Sequence, residues 1–238
     1  MRVVSVVYWL GVALSSLLMF PIAVLVFVVT KPFDPRGIVL HGWTSFWASL
    51  YTWFNPLWSV TVRGREHIPS DTPCVLVANH LSLVDILVVF RLFKHFKWVS
   101  KQENFAIPLI GWNMRLNHYI PLLRGDRQSV ADMFARCEAT LRSGSSVFMF
   151  PEGTRSRDGR LKPFKTGAFD LALRAGVPVV PIAIVGSQTA LPKKGFTIRR
   201  ARISVKVLPP VSVAEMTDLS AEELTTYVHT LLRPHVEL

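Results

Sequence analysis

The chain has 238 residues, half of them hydrophobic, with 27 Lys and Arg against 16 Asp and Glu and a formal charge of +11. That length holds one substantial core plus an appendage, and the charge alone would suit a nucleic-acid binder. The apolar excess argues against that class: a basic protein lying on an anionic lipid leaflet accounts for both properties, so the expected partner is a phospholipid bilayer and not nucleic acid.

Val3 to Thr30 contains no charged residue. As one helix it would be ~42 Å long against a hydrocarbon core of ~30 Å, enough to cross a bilayer with tilt or a kink at Pro21. A signal peptide is the competing reading, with Arg2 as its basic start. The run is too long for that, and the exit Thr30-Lys31-Pro32-Phe33-Asp34-Pro35 lacks a small-residue cleavage pattern. Arg2 on one side and Lys31 and Arg36 on the other leave the orientation open. From Trp43 to Trp58 the rings of Trp43, Phe46, Trp47, Tyr51, Trp53, Phe54 and Trp58 crowd together. Two readings fit: a segment in the headgroup layer, or a helix packed on the core through Trp43/Trp47 and Leu50/Phe54 at i,i+4 spacing. Residues 1–58 are read as a membrane-spanning or interfacial helical segment, and 59–238 as the domain behind it.

Ser59 to Arg63 alternates like a strand that Gly64 ends. The β-branched run Cys74 to Ala78 is a buried strand, after which Ser82 and Asp85 form the pattern of an N-cap and capping box opening a helix through Ile86 to Phe90. Phe96 to Lys101 is another strand, Ile107 to Leu116 is helical, and His118 to Arg124 is extended, with Pro121 marking an edge or irregular strand. Arg127 to Arg142 is an amphipathic helix with Val130, Phe134, Cys137 and Leu141 on its core stripe. Ser146 to Phe150 and Val177 to Ile184 are apolar strands, a helix runs from about Phe164 to Ala175, and Arg202 to Leu208 alternates as a last strand. Ser220, with Glu223 three residues on, caps a final helix to Leu232. Cys74 and Cys137 are read as buried structural thiols, and no metal spacing is present. The whole is an α/β fold: a mixed, largely parallel sheet flanked by helices, with an N-terminal membrane-associated helical segment.

Chemistry concentrates in two loops. His80 falls in a strand-to-helix turn and Asp85 in the first helical turn. A carboxylate there can fix one imidazole nitrogen and leave the other free to take a proton. The chain has no Gly-x-Ser-x-Gly elbow, so if His80 is a base the attacking oxygen belongs to the substrate; the competing reading is that Asp85 only caps the helix and His80 is a turn residue. The second loop, Phe150-Pro151-Glu152-Gly153-Thr154-Arg155-Ser156, follows a buried strand. Gly153 lets backbone amides approach an anion and Arg155 offers a fork to phosphate.

The His80-to-Asp85 spacing followed by Glu152-Gly153-Thr154-Arg155 resembles the His-x-x-x-x-Asp and Glu-Gly-Thr-Arg blocks of the 1-acylglycerol-3-phosphate (lysophosphatidic acid) acyltransferases. Arg124 resembles the arginine ending the family's second block, although His118 and Pro121 stand where glycine and phenylalanine are frequent there. Lys165 in Phe-Lys-x-Gly-x-Phe and the strand Val177 to Ile184 match further family patterns. The resemblance implies an acyltransferase domain over 59–238, with His80 and Asp85 catalytic and Arg124, Glu152, Gly153, Thr154, Arg155 and Lys165 binding the substrate phosphate. It implies lysophosphatidic acid as acceptor, acyl-CoA or acyl carrier protein as donor substrate, and no cofactor. It also implies a bacterial-type inner membrane with the catalytic domain on the cytoplasmic side. Another lysolipid acceptor and a non-catalytic lipid-binding protein are the alternatives.

Overall fold

A computed structural model describes residues 2–156, 158–192 and 195–237. Helices α1 (Arg2–Thr30) and α2 (Ile38–Trp53) lead into β1 (Trp58–Arg63), β2 (Val75–Ala78), α3 (Val84–Phe90) and β3 (Phe96–Lys101). Then come α4 (Ile110–Leu116), β4 (Ile120–Leu122), α5 (Arg127–Arg142), β5 (Ser146–Met149), α6 (Gly167–Ala175) and β6 (Val179–Val185). The short α7 (Ser187–Ala190), β7 (Ala201–Val207), α8 (Val213–Met216) and α9 (Ala221–Val236) complete the order.

The seven strands form one sheet in the order β1-β7-β6-β2-β5-β3-β4. The strands β2 to β6 run in one direction, whereas β7 pairs antiparallel to β6 and β1 parallel to β7. Strands covered on both faces are apolar, as β2 is throughout and β5 is after Ser146, whose hydroxyl accepts the Cys74 N–H, and every residue of both is buried. Alternation along them divides the core in two. Leu76, Phe148, Val180 and Ile182 pack with Val88 and Val89 of α3 on one face. Val75, Val77 and Val147 pack with Cys137 of α5, Phe169 of α6 and Val228 of α9 on the other. Both cysteines are buried free thiols.

Helix α1 lies along the domain instead of leaving it. Near its start Ser5 Oγ accepts the Ile198 N–H at 2.9 Å and Trp9 Nε1 donates to Phe196 O at 2.8 Å. Midway, the Ser15 and Ser16 hydroxyls meet Tyr51 Oη of α2, which also accepts from Trp47 Nε1. Farther on, Phe20 packs on Trp112 and Phe27 on His118. Only Ser5, Ser16 and Ala23 are buried on α1; its other face is apolar and open. In the tryptophan-rich stretch α2 packs on the core through Trp47, and Trp58 is buried, whereas Phe46, Trp53 and Phe54 are exposed.

Several boundaries differ from the sequence expectation for local reasons. The helix expected from Ile107 begins at Ile110, after Pro108. The segment after His118 pairs only over Ile120–Leu122, and Pro121 sits on the edge strand β4, where its missing N–H costs no ladder bond. The capping box at Ser82 is half formed. Asp85 accepts the Ser82 N–H, but Ser82 Oγ donates to Leu191 O, and α3 starts at Val84. At Ser220 the box is complete, and α9 continues past Leu232 to Val236.

Candidate active site

Because β2 lies fourth of seven, the turn that follows it opens at the middle of the sheet's carboxyl edge. Asn79 prolongs the pairing with its side chain, donating to Ile184 O and accepting the Ile184 N–H, both at 2.8 Å. That anchors the next residue, His80. Its Nδ1 lies 2.8 Å from Asp85 Oδ2, with the imidazole 14% exposed and the carboxylate fully buried. The same Oδ2 accepts the N–H groups of Leu81 at 2.7 Å and Ser82 at 2.8 Å. Three donors on one oxygen fix the carboxylate, and the carboxylate fixes the ring. Nε2 makes no hydrogen bond among the described residues, and the ring keeps a small exposed fraction.

The loop after β5 supplies the rest. Phe150 stacks on the His80 ring with centroids 4.0 Å apart and planes 15° from parallel, and Trp98 stacks in turn on Phe150, centroids 5.6 Å apart. Glu152 is buried, and its Oε1 accepts the His80 N–H at 2.9 Å, while the Ser156 N–H donates to His80 O at 2.7 Å. Burial pushes the Glu152 carboxyl up to about 7, and the nearby Asp85 charge adds to the rise. Among the described residues, its Oε2 and Asp85 Oδ1 are buried with no hydrogen-bond partner. Gly153 adopts φ +69°, and a Cβ there would lie 3.2 Å from Lys165 Cε, so the lysine stem crosses directly over the glycine.

The structure therefore brings His80, Asp85 and Glu152 into contact, with Gly153 and Lys165 against each other on the same loop system and Thr154 and Arg155 between Gly153 and Ser156. Arg124 stands apart. It follows the edge strand β4, three strands from β2, is exposed, and acts electrostatically on Glu103, which pairs with Lys101 at 2.8 Å. Glu152, expected among the anion-binding residues, is turned inward onto the His80 backbone. The sequence marks Phe150 only as a loop residue, and nothing local in it announces a stack on a histidine 70 positions earlier. The amides of Leu81, Ser82 and Gly153 are already bonded, to Asp85 and to Phe150 O, so they are not spare donors for an oxyanion.

An acid-oriented histidine at the carboxyl edge of a largely parallel sheet, with a Gly-Thr-Arg loop beside it, gives this α/β domain an imidazole held in one orientation where ligands of such sheets bind. Residues 59–185 match the protein family described as Acyltransferase. The chain belongs to that family. It is 46% identical over 153 residues, 64% of its length, to a chloroplastic 1-acyl-sn-glycerol-3-phosphate acyltransferase of Brassica napus, of which the match covers 44%. A 1-acyl-sn-glycerol-3-phosphate acyltransferase of Chlamydomonas reinhardtii is 40% identical over 207 residues, 83% of this chain and 62% of the relative. The chain thus spans about half to three fifths of these relatives. The crystal structure of the 1-acyl-sn-glycerophosphate (LPA) acyltransferase PlsC from Thermotoga maritima superposes with a TM-score of 0.71 at 27% identity, covering 97% of this chain and 96% of that one.

Proposed function

We propose that the chain is a 1-acylglycerol-3-phosphate O-acyltransferase. It moves a fatty acyl group from an acyl-CoA or acyl carrier protein thioester to the sn-2 hydroxyl of lysophosphatidic acid, giving phosphatidic acid for phospholipid synthesis. The observation that carries the reading is the 2.8 Å contact between His80 Nδ1 and the buried Asp85, set beside the Glu152-to-Arg155 loop. The names of the relatives in Brassica, Chlamydomonas and Thermotoga support it.

The acceptor's phosphate is held by Arg155 and Lys165, which stand on the loop system beside the base; charge-assisted bonds of this kind are about twice as strong as neutral ones. Nε2 of His80 takes the proton from the acceptor hydroxyl as its oxygen attacks the thioester carbonyl carbon. The C–S bond breaks as the tetrahedral intermediate collapses, and the imidazolium returns the proton to the departing sulfur. Asp85 holds the Nδ1 proton throughout, and the Phe150 face lies against the ring that becomes cationic. Base catalysis supplies ~10²–10⁴-fold, and juxtaposing the two substrates supplies more. No acyl-enzyme is formed, and the acyl donor is a co-substrate in place of a cofactor. The open apolar face of α1, with the exposed Trp53 at the end of α2 and Phe54 after it, seats the protein on the bilayer from which the acceptor enters. The expected setting is a bacterial-type inner membrane, catalytic domain on the cytoplasmic side.

The test is acyl transfer to lysophosphatidate by purified variants. His80→Ala is expected to lower kcat by ~10³-fold or more, whereas Arg155→Ala raises the acceptor KM by about tenfold with a smaller effect on kcat. An active His80→Ala protein would remove the proposed base.

A further inference from the structure

A second concentration of positive charge lies on the same sheet edge as His80, on the opposite flank from Arg155. Strands β7 and β1 run against the other five, so their first residues, Ala201 and Trp58, stand where the others end. There an open groove of about 620 Å³ is lined by Pro56, Leu57, Trp58, Ser59, Arg200 and Arg202. Its backbone is firmly tied: Trp58 Nε1 donates to Arg199 O at 3.1 Å, the Ala201 N–H to Leu57 O at 2.9 Å, and the Arg199 N–H to Ala190 O at 2.9 Å. The next residue, Leu191, accepts from Ser82 Oγ in the catalytic turn at 2.7 Å. Among the described residues Arg199, Arg200 and Arg202 form no ion pair with a carboxylate. The exposed cross-strand pairs Ser59/Arg202, Thr61/Ser204 and Arg63/Lys206 contain no acid.

We propose that this groove docks the phosphate-bearing end of a phosphopantetheine thioester, the acyl donor of the reaction proposed above, through Arg200 and Arg202. The inference rests on that reading and goes beyond it by giving the donor its own anion site. In a one-step transfer the thioester carbon and the acceptor hydroxyl must meet at His80 together; the acceptor's phosphate sits one carbon from its reacting hydroxyl, beside the base, whereas the donor's phosphate lies at the far end of the pantetheine arm. Like charges held in one place repel, so two basic sites on either side of the base serve better than one. The sheet provides that division: β5, bearing the loop of Arg155, lies on one side of β2, and β6 and β7 lie on the other. Two strand spacings, about 10 Å, separate β2 from β7, a gap that a pantetheine arm bridges.

The experiment uses the full chain and the double variant Arg200→Ala/Arg202→Ala. Initial rates are measured with acyl-CoA, with acyl carrier protein, and with an acyl-N-acetylcysteamine thioester, which carries no phosphate. Each phosphate-bearing donor is expected to show a KM raised by tenfold or more, with the lysophosphatidate KM unchanged and the acyl-N-acetylcysteamine rate equal to wild type. Arg200→Lys/Arg202→Lys restores part of the loss. An effect with only one phosphate-bearing donor assigns the groove to that source. Unchanged donor KM values overturn the proposal, as does an equal fall with acyl-N-acetylcysteamine, which marks a structural defect. Lost binding to phosphatidylglycerol vesicles with unchanged CoA affinity overturns it in favour of a lipid headgroup site. Direct titration with CoA separates the two readings: CoA bound through these arginines by a chain that does not acylate lysophosphatidate leaves the groove standing and removes the acceptor assignment.

Discussion

Glu152 joins the two loops of the site, and its chemistry follows from that position. Its Oε1 takes the His80 N–H while the Ser156 N–H takes His80 O, so the backbone of the base is gripped on both sides by the second loop. Glu152→Ala is expected to lower kcat by about tenfold to a hundredfold with little change in acceptor KM, and Glu152→Gln, which keeps a carbonyl acceptor, to recover most of it. A pure phosphate-binding role would give the opposite split, in KM. Stability carries a second signature. The carboxyl is raised from 4.5 to about 7, so the folded state holds this proton more tightly than the unfolded chain. The stabilisation is therefore full below pH 4.5 and is lost as pH rises toward 7, levelling above it. Urea unfolding of wild type and Glu152→Gln across that window checks the sign: the wild type alone shows this component of the loss.

At the scale of elements, Lys97 at the start of β3 fastens the α1–α2 connection to the domain. It is buried, its Nζ donates to Arg36 O at 2.7 Å and to Asn117 O at 2.8 Å, and burial pulls its pKa down to about 8 against the opposing charge of Asp34. Lys97→Met leaves the buried Asn117 carbonyl without this donor, and a cost of about 2 kcal/mol, a fall in Tm on the order of 5 °C, is expected by thermal unfolding. Elements whose evidence is local were legible in the sequence. The runs of β2, β5 and β6 are unbroken and apolar, α5 spans the expected residues, and His80 meets Asp85 only five positions on. Features made by distant partners were not. The Glu152 contact with His80 spans 72 residues, that of Asn79 with Ile184 spans 105, and that of Ser5 with Ile198 spans 193. The capping box at Ser82 failed for the same reason, since Leu191 competes for its hydroxyl.

Over the whole molecule, a group of exposed apolar residues falls on helices α1 to α4 and the turns after them, linked by the ring contacts Phe20/Trp112, Phe46/Trp53 and Trp53/Phe93. They include the open face of α1, Phe46 and Trp53 of α2, Phe54 after it, Phe93 after α3, and Trp112 of α4. With a charge of +11, such a surface suits an anionic leaflet. Trp53→Ser/Phe54→Ser is expected to weaken partitioning onto phosphatidylglycerol vesicles by about tenfold in a sedimentation assay while leaving the Tm within a few degrees, because both rings are exposed. The column of rings from Trp98 through Phe150 to His80 has a different bearing. It ties the His80 ring to Trp98, which is 3% exposed, so the aim of the imidazole depends on core packing. Under the proposed reaction, repacking that interior would lower turnover as editing the pocket would, and a loss traced to Trp98 would say nothing about where substrate lies.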